Sequence, residues 1–220
     1  KIWVRITEMV FPNYLQIGSL MPTAARERHG NSGCTRWNVP IDDNNMIIFG
    51  WRHFNDMVDP DGMGDESGCG VDKIDFLEGQ VGGRSYQEGQ RAPGDWEAIV
   101  SQGKIAVHGA ENPGSSDIGV FMCRKLLRDM VRGKTPANAL YEALTAAGKT
   151  LPLYSQDSVL EIPELSREED RKLLLDIGKK VLAVMRSADE LPSAAARDAH
   201  IRKQLDVLDA REEAAELSNA

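Results

Sequence analysis

The residues of this sequence best suited to binding a transition metal are its four histidines, His29, His53, His108 and His200. No two of them stand at HxxxH or HExxH spacing, so no helix presents a pair of imidazoles on one face. A metal site built from two histidines and one carboxylate leaves open positions for small ligands. His53 and His108 with a carboxylate could supply such a set, but their spacing does not select them. For each histidine alone the default is a hydrogen-bonded or surface role. Nucleophilic chemistry finds less support. There is no G-x-S-x-G elbow, and the Gly79–Gly83 stretch lacks the G-x-x-x-x-G-K-[ST] pattern of a phosphate loop. Cys34, Cys69 and Cys123 are isolated.

A second candidate is aromatic. In the run Ile47–Phe54, the alternate residues Phe49, Trp51 and His53 share one face if the segment is a strand. They could line a substrate pocket on the interior side of a sheet. The plainer reading of such a face is ordinary core.

The elements that would position these groups change character along the chain. Ile2, Val4 and Ile6 alternate with Trp3, Arg5 and Thr7, which predicts a strand near Ile2–Met9. Thr35–Ile41 and Met46–Phe54 alternate in the same way, and the turn formers Asp42–Asn45 between them predict a hairpin. Asn55–Gly70 and Gly79–Gly94 are rich in glycine and polar residues and are expected to be surface connectors, the first of them mobile. After Pro93 the period becomes helical. Asp95–Gln102 predicts a short helix ending at Gly103. Asp117–Arg132 places Ile118, Met122, Leu126 and Met130 on one face, with Gly133 as the C-terminal stop. Thr135-Pro136 opens a helix running to Gly148. Ser166–Glu169 is a capping box before a long amphipathic helix. Pro192-Ser193 then separates a polar, Ala-rich helix, whose last segment around Arg211-Glu212-Glu213 is expected to be solvated or to lie at an oligomer edge. Strands first and helices after, without βαβ alternation, predict an α+β fold with an antiparallel sheet.

Composition narrows the partners. The chain has 220 residues, 41% of them hydrophobic, enough to bury a sizeable core. A net charge of −8 disfavours nucleic acid. No apolar run suits a bilayer span, and the three scattered cysteines suggest a cytoplasmic setting. Lys1 begins directly on a strand, so a truncated reading frame is expected.

Three stretches carry a family resemblance. Cys34–Asp43 and Ile48–Asn55 resemble the strand pair of Rieske oxygenase catalytic subunits, loosely t-R-W-x-V-P-x-D-D and w-R. Gln90–Asp117 resembles the phthalate-dioxygenase-like branch, whose pattern is roughly Q-D-x-x-M-Q-E-S-M-G-P-I-x-D-R-x-x-E-H-L-G-x-S-D. Laid on without a gap, the pattern matches Asp95, Ser101, Gly103, Ile105, Glu111, Gly114, Ser116 and Asp117. The next helix, with Arg124, Leu126 and Leu127, is similar too. Asn112-Pro113 and Ala98-Ile99-Val100 depart from the pattern. The resemblance covers about residues 3–133.

The resemblance implies a START-like helix-grip catalytic domain, N-terminally truncated. Residues 1–150 would be the C-terminal part of that domain and residues 151–220 a C-terminal helical extension. It implies that Asp95 is the carboxylate ligand of a mononuclear non-haem Fe(II), with the two histidine ligands upstream of Lys1. It also implies a [2Fe–2S] Rieske cluster in a missing N-terminal domain, a reductase or ferredoxin partner, O2 as co-substrate and a homotrimer. The expected reaction is hydroxylation or O-demethylation of an aromatic compound. The alternative is a START-like domain that binds a hydrophobic ligand without catalysis; Asp95 in its matched context separates the two.

Overall fold

A computed structural model describes residues 1–18, 29–56, 58, 59, 62, 64–70, 84–135, 139–162 and 165–217. In chain order the strands and α-helices are β1 (Ile2–Ile6), β2 (Glu8–Val10), β3 (Tyr14–Gly18), β4 (His29–Pro40), β5 (Met46–Arg52), α1 (Tyr86–Arg91), α2 (Asp95–Val100), α3 (Ile118–Val131), α4 (Ala139–Ala146), β6 (Gln156–Leu160), α5 (Arg167–Arg186) and α6 (Ala194–Leu217). The fold is α+β with an open antiparallel sheet, as the alternation predicts. Residues 79–83 of the second glycine-rich connector and the Pro136 helix start lie outside the described residues.

The chain forms two compact units. The first comprises Lys1–Trp37, Phe49–Gly64 and Asn138–Ala220. The strand order is β1-β6-β4-β3-β2, with β5 paired to β4. Ile2 faces Leu160 across β1 and β6, Asn31 faces Gln156 across β4 and β6, and Tyr14 faces Trp37 across β3 and β4. Gly18 is required by a close approach, because a Cβ there would sit 2.5 Å from the Gln156 carbonyl oxygen. The residue pattern of β1 reads directly in its burial: Ile2 is buried, Val4 and Ile6 are half-buried, and Trp3 and Arg5 are exposed.

The core lies between this sheet and the last two helices. Ile2, Leu160 and Ile162 pack with Ile177, Val181 and Met185 of α5 and with Ile201 and Leu205 of α6. Each fully buried aliphatic side chain contributes roughly 1.5–3 kcal/mol. Asp157 of β6 is fully buried and held by Arg5 through two hydrogen bonds, at 2.9 and 3.0 Å, and by the Trp3 indole at 2.9 Å. Segment 151–220, read from sequence as helical, therefore also contains a strand. Gln156-Asp157-Ser158 is too polar to show the usual strand signal, and its polar side chains are buried because they find partners.

Two local expectations need correction. Val58 and Asp59 are buried, so the Asn55–Gly70 segment is not all surface, and the Asp59 carboxylate accepts the Gly64 N–H at 2.6 Å. At Ser166 the capping box is incomplete: its hydroxyl donates to Glu169 rather than accepting from the helix backbone.

The second unit comprises Asn38–Ile48 and Asp65–Ala137. Its Asp42–Asn45 turn is closed by the Asp42 carboxylate, which accepts from the backbone N–H groups of Asn44 and Asn45 at 2.8 and 2.9 Å. Helix α3 ends as predicted: Gly133 takes φ +67° and its N–H donates to Met130 O. No α3 residue is fully buried, and Ile118 and Met122 of the expected core face stand exposed. Among the described residues no helix is long and apolar enough to cross a membrane.

Candidate functional site

Asp95 opens α2, directly after Pro93 and the N-cap Gly94. A negative first turn suits the positive end of a helix, which explains why an acid is tolerated here. The turn is held by a neighbouring acid. Glu97 accepts the Gly94 N–H at 2.8 Å, and Arg84 stands 3.7 Å from its other oxygen. That backbone hydrogen bond and the Arg84 charge hold the Glu97 carboxyl below the usual glutamate range. Asp95 itself is exposed, and its carboxylate makes no hydrogen bond or ion pair with any described residue.

Other positions of the matched pattern have structural work. Glu111 pairs with Arg124 of α3 at 2.6 Å, and this pairing lowers its pKa. Asp117 accepts the Gly114 N–H at 2.7 Å and shapes the turn before α3. Gly103 takes φ +76°, a conformation costly for any residue with a Cβ. Glu111 and Asp117 are bound to the protein, whereas Asp95 is an anionic oxygen donor with both lone-pair sets available.

The histidines fall apart as a group. His53 is fully used: Nδ1 lies 2.8 Å from Ser32 O, and Nε2 lies 3.1 Å from Thr35 Oγ1. Ser32 O can only accept, so Nδ1 carries a proton. His29 is buried against Gln156, and His200 contacts Ser187 Oγ at 2.9 Å. His108 is exposed. Among the described residues no three His, Cys, Asp or Glu side chains converge as a metal-binding group. Asp95 fits one oxygen-ligand position of a non-haem iron site, since it is anionic, accessible and unpaired. The described residues do not by themselves complete such a site.

The aromatic side chains of β5 stand largely exposed among the described residues. Phe49 and Trp51 are 55% and 67% exposed. Trp51 meets Trp37 edge-on at 5.2 Å, and Trp37 meets Tyr14 at 5.4 Å. A cavity of about 420 Å³ lies next to this aromatic row, lined by Phe11, Tyr14, Trp37, Tyr141 and Leu151 among others, and none of Phe49, Trp51 and His53 lines it. The alternation located the strand, which ends at Arg52 just before His53. Sequence reading also missed Glu97 and Arg84. Glu97 had a legible signal, an acid three residues after the N-cap glycine. Arg84 had none.

No family model matches the chain, and no solved structure matches it. It is 50% identical over 212 residues to the oxygenase subunit of a tert-butanol monooxygenase / tert-amyl alcohol desaturase from Aquincola tertiaricarbonis. The match covers 96% of this chain and 45% of that relative, so the chain spans somewhat less than half of the relative's length. Over nearly all of its length, then, it is similar to an oxygenase subunit.

Proposed function

We propose that this chain is part of the catalytic subunit of a Rieske-type non-haem iron oxygenase, with Asp95 as the carboxylate ligand of the iron. The observation that carries the reading is the 50% identity to an oxygenase subunit across 212 residues. The matched pattern around Asp95 and the free state of its carboxylate support the same residue. Residues 1–150 then belong to a grip-type catalytic domain and residues 151–220 to its C-terminal extension. The two remaining iron ligands, and a [2Fe–2S] cluster fed by a reductase or ferredoxin, are assigned to sequence outside this chain. The phthalate-like branch, a homotrimer and a cytoplasmic setting remain part of the same proposal.

The substrate we assign is a compact branched aliphatic alcohol, because the relative is named for tert-butanol and tert-amyl alcohol. In the hydroxylating reaction one C–H bond becomes C–OH, O2 supplies the oxygen, and two electrons and two protons reduce its other atom to water. The aromatic substrate that the family resemblance implies, with hydroxylation or O-demethylation, is the competing outcome. The bound iron supplies the O2 chemistry; the contribution derived for this chain is one anionic ligand on a braced turn.

The test uses the full-length oxygenase with an electron-donating reductase. Expected is O2 uptake on addition of tert-butanol, with Asp95→Ala losing iron and turnover but keeping the visible absorbance of the Rieske cluster. Uptake with aromatic acids or ethers alone would move the substrate class. Ligand binding without any O2 uptake would favour the non-catalytic grip domain. Full iron content and activity in Asp95→Ala would overturn the site.

A further inference from the structure

We infer that Glu97 is a positioning residue for Asp95, and that Gly89 is the position that leaves room for it. The inference rests on the proposed role of Asp95 as a ligand. Three observations converge on Glu97. Its Oε2 accepts the N–H of Gly94, the residue immediately before Asp95, at 2.8 Å. Its Oε1 faces Arg84 at 3.7 Å, and Arg84 also donates to Ala92 O at 2.5 Å. Gly89 is the one buried residue of α1, and a Cβ built on it would stand 2.6 Å from Glu97 Oε1.

The geometry is more than a helix cap. An ordinary capping box joins the N-cap and N3 side chains to each other's backbone N–H groups, and with glycine at the N-cap only the Glu97 half is made. Here the capping carboxylate is also placed between a guanidinium and a glycine of the preceding helix. Arg84 therefore ties both ends of the Ala92–Glu97 turn, and Asp95 stands on that turn with its own carboxylate unspent. A metal ligand must be held close to its productive geometry, and groups that hold ligands typically matter by about 10–100-fold in metal affinity. Glu97 does this through the backbone and leaves Asp95 free.

The experiment measures Co(II) and Fe(II) affinity of the full-length protein, with the Co(II) ligand-field spectrum as a report on coordination. Glu97→Ala is expected to raise the metal Kd about tenfold and alter the Co(II) bands. Glu97→Gln keeps an oxygen that can accept from Gly94 and should stay within about threefold of the parent. Gly89→Ala should weaken binding like Glu97→Ala by displacing the carboxylate. Yet alanine is the better helix former, so thermal stability should hold or rise. That split separates positioning from a purely structural role, and Gly89→Ala carries the test if Glu97→Ala fails to fold. Parental affinity and spectrum in Gly89→Ala and in folded Glu97→Ala, alongside loss of binding in Asp95→Ala, overturn the inference alone. Equal loss in Glu97→Gln and Glu97→Ala overturns the backbone hydrogen bond as the means. Unchanged binding in Asp95→Ala overturns the ligand assignment, and this inference with it.

Discussion

Arg124 grips Glu111 with both terminal guanidinium nitrogens, Nη1 to Oε2 at 2.6 Å and Nη2 to Oε1 at 2.8 Å. The pair joins the irregular segment after α2 to helix α3. A bidentate fork of this kind fixes orientation as well as distance. It also explains two positions of the sequence pattern without assigning either to chemistry.

The Glu111 carboxyl should titrate below the ordinary glutamate range, chiefly because of the Arg124 hydrogen bonds. A folded-state pKa below the unfolded one gives stability that is present above the unfolded pKa and lost as pH falls through the folded one. Carbon-detected NMR titration checks this. Arg124→Ala should return the midpoint towards the usual value and speed proteolysis between α2 and α3.

His29 works with the opposite sense of charge. Burial first, and then the Arg202 charge, press its pKa below the usual histidine value of 6.5. The unfolded chain then binds the extra proton first, so stability falls as pH drops below about 6.5. Urea midpoints between pH 7.5 and 5.5 should decline, and His29→Asn should flatten that decline. Glu8, whose pKa is raised chiefly by burial, acts against the trend at lower pH. An equally steep decline in His29→Asn would assign it to other groups.

His53→Ala should destabilise the first unit by about 1–3 kcal/mol, because it strips partners from Ser32 O and from the buried Thr35 hydroxyl. Metal affinity of the full-length protein should not change, since both ring nitrogens are already engaged. Loss of iron with unaltered urea stability would make His53 a ligand after all.

Leu205→Ala should cost about 2–5 kcal/mol, as for other fully buried leucines. Because Leu205 joins α6 to a core shared with β1 and β6, hydrogen exchange should accelerate in Ile2–Ile6 as well as in α6. Loosening confined to α6 would make the last helix an independent appendage.

Much of the local structure was legible. Alternation placed β1, β4 and β5. Asp42 and Asn45 announced their turn, and Gly103 and Gly133 marked helix ends where the backbone turns left-handed. Of the acids that the pattern matches, Asp95 makes no hydrogen bond or ion pair with a described residue, whereas Glu111 and Asp117 do. Less was legible of the pocket: Phe49 and Trp51 lie on β5, but His53 stands just past its end at Arg52 and is held by Thr35 and Ser32, while the two larger rings stand exposed.

The reason for the division is range. Turns, caps and strand faces follow from sterics and hydrogen bonds within a few residues, so the sequence by itself determined them. The pairing of β1 with β6 joins Ile2 to Leu160 across most of the chain. It depends on summed burial against α5 and α6, and on Arg5 and Trp3 meeting the buried Asp157. No local window contains both partners of such a contact. Which acid Arg124 holds, and that Arg84 faces Glu97 where Gly89 leaves room for it, were therefore decided only by the tertiary structure.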